Sequence, residues 1–165
     1  MAFAGFLYRA LNPEYAREPL SGAGAGRYGG RFNPKGLATL HTSMSVMTAL
    51  REANQVGVLQ PTTLVAYRAS IWNLFDTRDE AALSATGMSE ADLADPSWRD
   101  RMRQQGEAPS QKFGRQLYQQ GYIGLIIRSF AKGSLPSDLN VVLWRWGTAG
   151  SEVDLVDDDD RLRLN

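Results

Sequence analysis

Alternation of apolar and polar positions is confined to short stretches of the chain. "GFLYRAL" (5–11), bounded by Gly5 and by Asn12-Pro13, has the aromatic and aliphatic density of a strand. A long glycine-dense loop runs to Gly36, and "LATLHTS" (37–43) then predicts a second strand. The apolar period changes in "MSVMTALREANQV" (44–56), where Met44, Met47, Leu50 and Ala53 recur at helical spacings with Ser43 available as N-cap. "TTLVAYRAS" (62–70) alternates again and predicts a third strand.

"IWNLFD" leads into a polar stretch broken by Gly87, Pro96, Gly106 and Pro109, which suits short helices over 77–85, 90–94 and 97–105. "SQKFGRQLYQQ" (110–120) predicts a helix starting near Ser110, with Gly121 as its C′ residue, before the apolar strand "YIGLIIRSF" (122–130). "LNVVLWRW" (139–146) is a further strand, and "EVDLVDDDDRLRLN" (152–165) closes with a short strand and an acidic surface turn. No internal repeat interrupts this order. It predicts an α+β fold, a bent mixed or antiparallel sheet with short helices around it, and it disfavours regular βαβ alternation.

Composition narrows the chemistry. A chain of 165 residues with 43% hydrophobic and 22% charged residues is expected to form one ordered domain over 1–165. Eighteen basic and eighteen acidic residues cancel, which removes the long-range field of a nonspecific nucleic-acid binder, so any anion site must be local. The absence of cysteine excludes disulfides, thiolate zinc sites and a cysteine nucleophile. The start has no basic n-region or long apolar core, and no later run reaches the ~18 apolar residues of a membrane span, so a cytoplasmic protein without a membrane partner is expected. His41 is the only histidine, which excludes a His-rich metal site and leaves a ligand role open.

The loop "GAGAGRYGGRFNPKG" (22–36) formally contains GxGxxG. A dinucleotide turn would need a helix opening on its last glycine, whereas Gly30 to Gly36 follow here with Pro34 holding Asn33 away from helix. A Walker A loop would need Gly-Lys, and the chain has no such pair. What remains is a flexible loop or a local anion clamp. Arg31 lies between Gly30 and Phe32, where backbone can approach a ligand while a guanidinium forks onto phosphate, each charge-assisted bond contributing roughly 1.5–3 kcal/mol. Trp144 and Trp146 alternate with Arg145, a pattern that fits same-face core packing better than stacking on nucleic acid.

Taken together, "LYRA" (7–10), the glycine loop, "SMSVMTALREAN" (43–54), "GLIIRSF" (124–130) and "LNVVLW" (139–144) resemble the RES domain, named for its Arg, Glu and Ser. By position these match Arg31, Glu52 and Ser129, with Arg9 and Asn140 as further matches. The resemblance implies an ADP-ribosyltransferase-like fold and a toxin of a bacterial Xre–RES toxin–antitoxin module. It also implies consumption of NAD+ as a substrate, by hydrolysis, by phosphorolysis or by transfer of ADP-ribose to a host protein. The implied partner is a helix-turn-helix antitoxin covering the active site. His41 stands where many members have tyrosine, so a contact to nicotinamide or ribose is implied for an imidazole instead.

Cleavage of the nicotinamide–ribose bond develops an oxocarbenium-like charge, which a carboxylate near C1′ stabilises; Glu52 suits that task. Arg31 would bind the diphosphate, and Arg9 is either a second phosphate ligand or a support from the first strand. Ser129 would hold the ribose or position Glu52, Asn140 would join the substrate contacts, and Tyr28 would stack on a base or pack the loop. No metal or cofactor is called for, because nicotinamide is already a cationic leaving group. A noncatalytic nucleotide-binding interaction domain is the alternative from another class.

Overall fold

The nine residues of β1 (Phe3–Leu11), buried at Leu7 and Leu11, pair antiparallel along their whole length with β3 (Thr63–Ile71), where burial alternates, from Phe3 opposite Ile71 to Leu11 opposite Thr63. The computed structural model describes residues 1–55 and 58–162, so Val56 of the expected helix and 163–165 of the expected tail lie outside it. The other strands are β2 (Leu40–Ser43), β4 (Leu74–Asp76), β5 (Gly124–Arg128), β6 (Leu139–Leu143) and β7 (Ser151–Leu155). They form one mixed sheet in the order β4-β5-β6-β2-β1-β3-β7, parallel between β4 and β5 and antiparallel at every other pairing.

Side chains alternate across a strand, and this sheet uses both faces. On β5, Ile126 enters a core made with Leu7, Tyr67, Val141 and Val153, which the curled sheet closes against itself. Its neighbours Leu125 and Ile127 enter a second core with Phe113, Leu117 and Leu93, contributed by helices. Those helices are α3 (Glu80–Ala85), α4 (Glu90–Ala94) and α6 (Pro109–Gln119), and α5 (Trp98–Gln105) packs against α6. The α+β architecture with a bent mixed sheet therefore stands as read from the sequence.

Several local expectations change. The glycine loop contains a helix, α1 (Ala23–Tyr28), so Gly24 and Gly26 of the formal GxGxxG lie inside a helix and Gly29 ends it at φ 76°. The helix α2 (Val46–Ala53) is capped by Ser45, whose hydroxyl accepts from the Thr48 N–H; Ser43 ends β2. The three-residue strand β4 inside "IWNLFD" is paired only through β5. In α6 the N-cap is Ala108, and the buried Ser110 hydroxyl has no partner among the described residues.

Strand β6 stops at Leu143, and the two tryptophans after it enter different cores rather than one face. Each indole N–H holds backbone near the glycine loop, Trp144 to the Phe32 carbonyl at 3.1 Å and Trp146 to the Leu20 carbonyl at 3.0 Å. Among the described residues, no helix is long and apolar enough to cross a membrane.

Candidate active site

Register places Tyr8 opposite Ser43, Ser43 opposite Asn140 and Asn140 opposite Ile127, a row that crosses β1, β2, β6 and β5. All four line a cavity of about 530 Å³, whose walls are α2, the 28–32 segment, α5 and the end of β5. Within α2, Thr48 and Ala49 are buried, and Glu52 follows Ala49 by three residues on the cavity side.

The Glu52 carboxylate is held at both oxygens. Its Oε1 accepts from the Ser129 hydroxyl at 2.5 Å and from the Asn140 amide nitrogen at 2.6 Å, while Oε2 accepts from Gln55 Nε2. The Asn140 amide is itself fixed, because its Oδ1 accepts from the Ser43 hydroxyl at 2.7 Å. Ser129 is buried, shares a hydrogen bond of 2.8 Å with Ser134, and receives its placement from Asp138. The Asp138 carbonyl accepts from the Ser129 N–H, and its carboxylate accepts from Leu135 N–H, Thr48 and Arg51. Those contacts, the Leu135 N–H foremost, hold the Asp138 carboxyl below the usual carboxylate range. The strap ties the 129–138 connection to the helix that carries Glu52.

Arg31 faces Glu52 across the cavity and is half engaged. Its Nη1 donates to the Leu93 and Asp95 carbonyls at 3.1 and 2.9 Å, closing the C-terminal end of α4, where a cation complements the helix dipole. Its guanidinium also lies 5.2 Å from the Phe130 ring centroid and 6.0 Å from that of Trp98. Burial lowers its proton affinity, Glu52 opposes that shift and Arg99 adds to it. The group stays cationic, and the Nε and Nη2 donors have no protein partner among the described residues.

The loop around Arg31 is strapped from several sides. Asn33 is fully buried, and its Nδ2 donates to the carbonyls of Ala25 and Leu37 at 2.9 and 3.2 Å. Gln111 of α6 donates to the carbonyls of Gly30 and Asn33 at 2.9 and 3.1 Å. A Cβ at Gly30 would lie 2.4 Å from Asn33 Oδ1 and 2.9 Å from His41 Nε2, so only glycine admits this approach.

His41 lines the cavity, 3.1 Å from Asn33 Oδ1 through Nε2. Since the Asn33 Nδ2 hydrogens are engaged elsewhere, Oδ1 is the acceptor and the neutral imidazole carries its proton on Nε2. Burial, reinforced by Arg9, pushes its pKa down to about 4. His41 is therefore neutral near pH 7. Arg9 touches the cavity but shares the strand parity of Leu7 and Leu11, and its Nη1 donates to the Pro19 and Ser21 carbonyls at 3.2 and 3.1 Å. Its contacts are those of a support. Tyr28 ends α1 at the cavity mouth, 66% exposed, free to meet a ligand rather than packed into the core.

All seven residues singled out in the sequence meet here, six as lining and Ser129 through its bond to Glu52. Ser43, Gln55, Asp138, Trp98, Arg99 and Phe130 belong to the same arrangement and were not among them. Only Ser43 had a readable signal, two residues after His41 and so on the same face of a short strand. Among the described residues, no three His, Cys, Asp or Glu side chains group as a metal site would need.

No curated protein matches the chain. Residues 6–165 match the RES domain, a family associated with toxins that act on NAD, and the residues carrying its three letters are two partners in a hydrogen bond, Glu52 and Ser129, with Arg31 across the cleft. The chain belongs to the RES domain family.

Proposed function

We propose that the cleft binds NAD+, cleaves its nicotinamide–ribose bond and passes ADP-ribose to a host protein, as the toxin of a module whose Xre-type antitoxin seats over the cleft. One observation carries the reading: a carboxylate fixed by three donors on the wall of a cavity of ligand-binding size, facing a guanidinium with free donors. In the reaction, the C1′–N1 bond breaks and its electron pair goes to the pyridinium nitrogen, releasing neutral nicotinamide. Positive charge on C1′ is met by Glu52, which needs no reorganisation because Ser129, Asn140 and Gln55 already orient it. An acceptor oxygen or nitrogen then bonds to C1′ and gives up its proton; with water the product is free ADP-ribose.

The test uses purified protein, NAD+ labelled in the adenylate phosphate, and host lysate. A labelled protein band supports transfer, free ADP-ribose alone reduces the reading to NAD+ breakdown, and no nicotinamide release overturns it. Glu52→Gln keeps the shape and the hydrogen bonds to Ser129 and Asn140 but removes the charge. It is expected to slow nicotinamide release on the order of 10²–10³-fold and to abolish growth inhibition. Unchanged growth inhibition in that variant would favour a noncatalytic binding domain.

A further inference from the structure

Among the described residues five arginines line the cleft, and four are engaged. Arg9 and Arg31 donate to backbone carbonyls, Arg103 pairs with Asp100 at 3.1 Å, and Arg128 pairs with Glu90. Arg99 is different: among the described residues it has no hydrogen bond and no ion pair, and its guanidinium lies over the Trp98 ring at 4.5 Å from the centroid. Trp98 is buried, so this platform is fixed. The position gives the helix nothing, since Arg99 is the second residue of α5 and a cation in the first turn opposes the helix dipole.

We propose that Arg99, laid on the Trp98 indole, is the second diphosphate-binding cation of the cleft, paired with Arg31 and taking the place that Arg9's contacts leave unfilled. This rests on the NAD+ reading above. Both guanidiniums lie within 6.0 Å of the same Trp98 centroid, and both line the cleft that Glu52 also lines. Burial is the main cause of the lowered proton affinity of Arg31, and the Arg99 charge adds to it. Two adjacent cations repel unless an anion lies between them, and a dinucleotide diphosphate supplies one negative charge to each. Arg31 brings its free Nε and Nη2 donors and Arg99 brings all five of its own. In this arrangement α5 is a substrate-binding element, although the family's three lettered positions all lie elsewhere.

The experiment measures ADP-ribose affinity and NAD+ turnover for the full chain, for Arg99→Ala, for Arg99→Lys and for Arg27→Ala, an exposed cation outside the cleft. Expected for Arg99→Ala is a 10–100-fold weaker ADP-ribose affinity and a matching rise in KM, with kcat falling far less, because the contact is remote from C1′. Arg99→Lys recovers part of the loss as a point charge, and Arg27→Ala behaves as the unaltered chain. If Arg99→Ala binds ADP-ribose within twofold of the unaltered chain, this inference is overturned and the NAD+ reading stands. If the unaltered chain neither binds ADP-ribose nor cleaves NAD+, that reading fails and takes the inference with it.

Discussion

A lone histidine on a strand is an ambiguous signal, and in this cleft its surroundings decide its chemistry. With its pKa near 4, His41 cannot serve as a proton donor at neutral pH, and its fixed Nε2–H makes it a rigid partner of the Asn33 loop. The sign of the coupling to stability follows. An unfolded histidine binds a proton below about pH 6.5, and the folded one does so only below about pH 4, so the unfolded state holds the extra proton between these values. Stability from the neutral imidazole is full above pH 6.5 and is lost as pH falls towards 4, by about 3 kcal/mol at most. His41→Gln, which keeps a donor without the titration, is expected to flatten the dependence of denaturant midpoint on pH across that window; an identical slope would refute the assignment. The Arg, Glu and Ser positions were legible as a spaced pattern. Ser43 was read as a helix cap because "TSMS" offers two capping hydroxyls, and only the pairing with Asn140 shows which one faces the site.

Legibility falls off at the level of elements where glycine or brevity masks a period. The helix α1 is built from "AGAGRY", whose propensity argues against helix, and it is held by external bonds such as Asn33 to Ala25 rather than by its own composition. Strand β4 is too short to show alternation. Of the longer amphipathic segments, α6 was readable to within a residue at each end and α2 to within two at its start, while α2 stops at Ala53, short of the expected end. What no local pattern encodes is the coupling between α2 and the 129–138 connection, which depends on residues about ninety positions apart. Asp138 makes that coupling, and its effect belongs to the pair of elements rather than to any substrate contact. Asp138→Ala is expected to lower kcat roughly tenfold by loosening Ser129 against Glu52 while KM for NAD+ changes little. Equal kcat in the two proteins would show that the Glu52–Ser129 bond does not need the strap.

Over the whole molecule, one sheet serves two cores, and the cleft shares only one of them. The α+β class was readable from strand and helix periods, but the order β4-β5-β6-β2-β1-β3-β7 was not, since non-sequential pairing depends on contacts that no window of sequence contains. This two-sided design places a core residue and a cleft-lining residue side by side in the sequence. Ile126 and Ile127 are both buried on β5, at 0% and 1% exposure, yet Ile126 points into the self-closed core and Ile127 into the helical core and the cleft wall. Truncating either to alanine removes similar apolar contact, so each is expected to cost about 2–5 kcal/mol in unfolding free energy. The functional consequences should diverge: Ile126→Ala leaves KM of the folded fraction unchanged, whereas Ile127→Ala opens the wall beside Phe130 and Arg128 and raises KM several-fold. Unfolding curves and initial rates on the same preparations distinguish the two, and parallel loss of affinity in both variants would mean that the cleft is coupled to both cores.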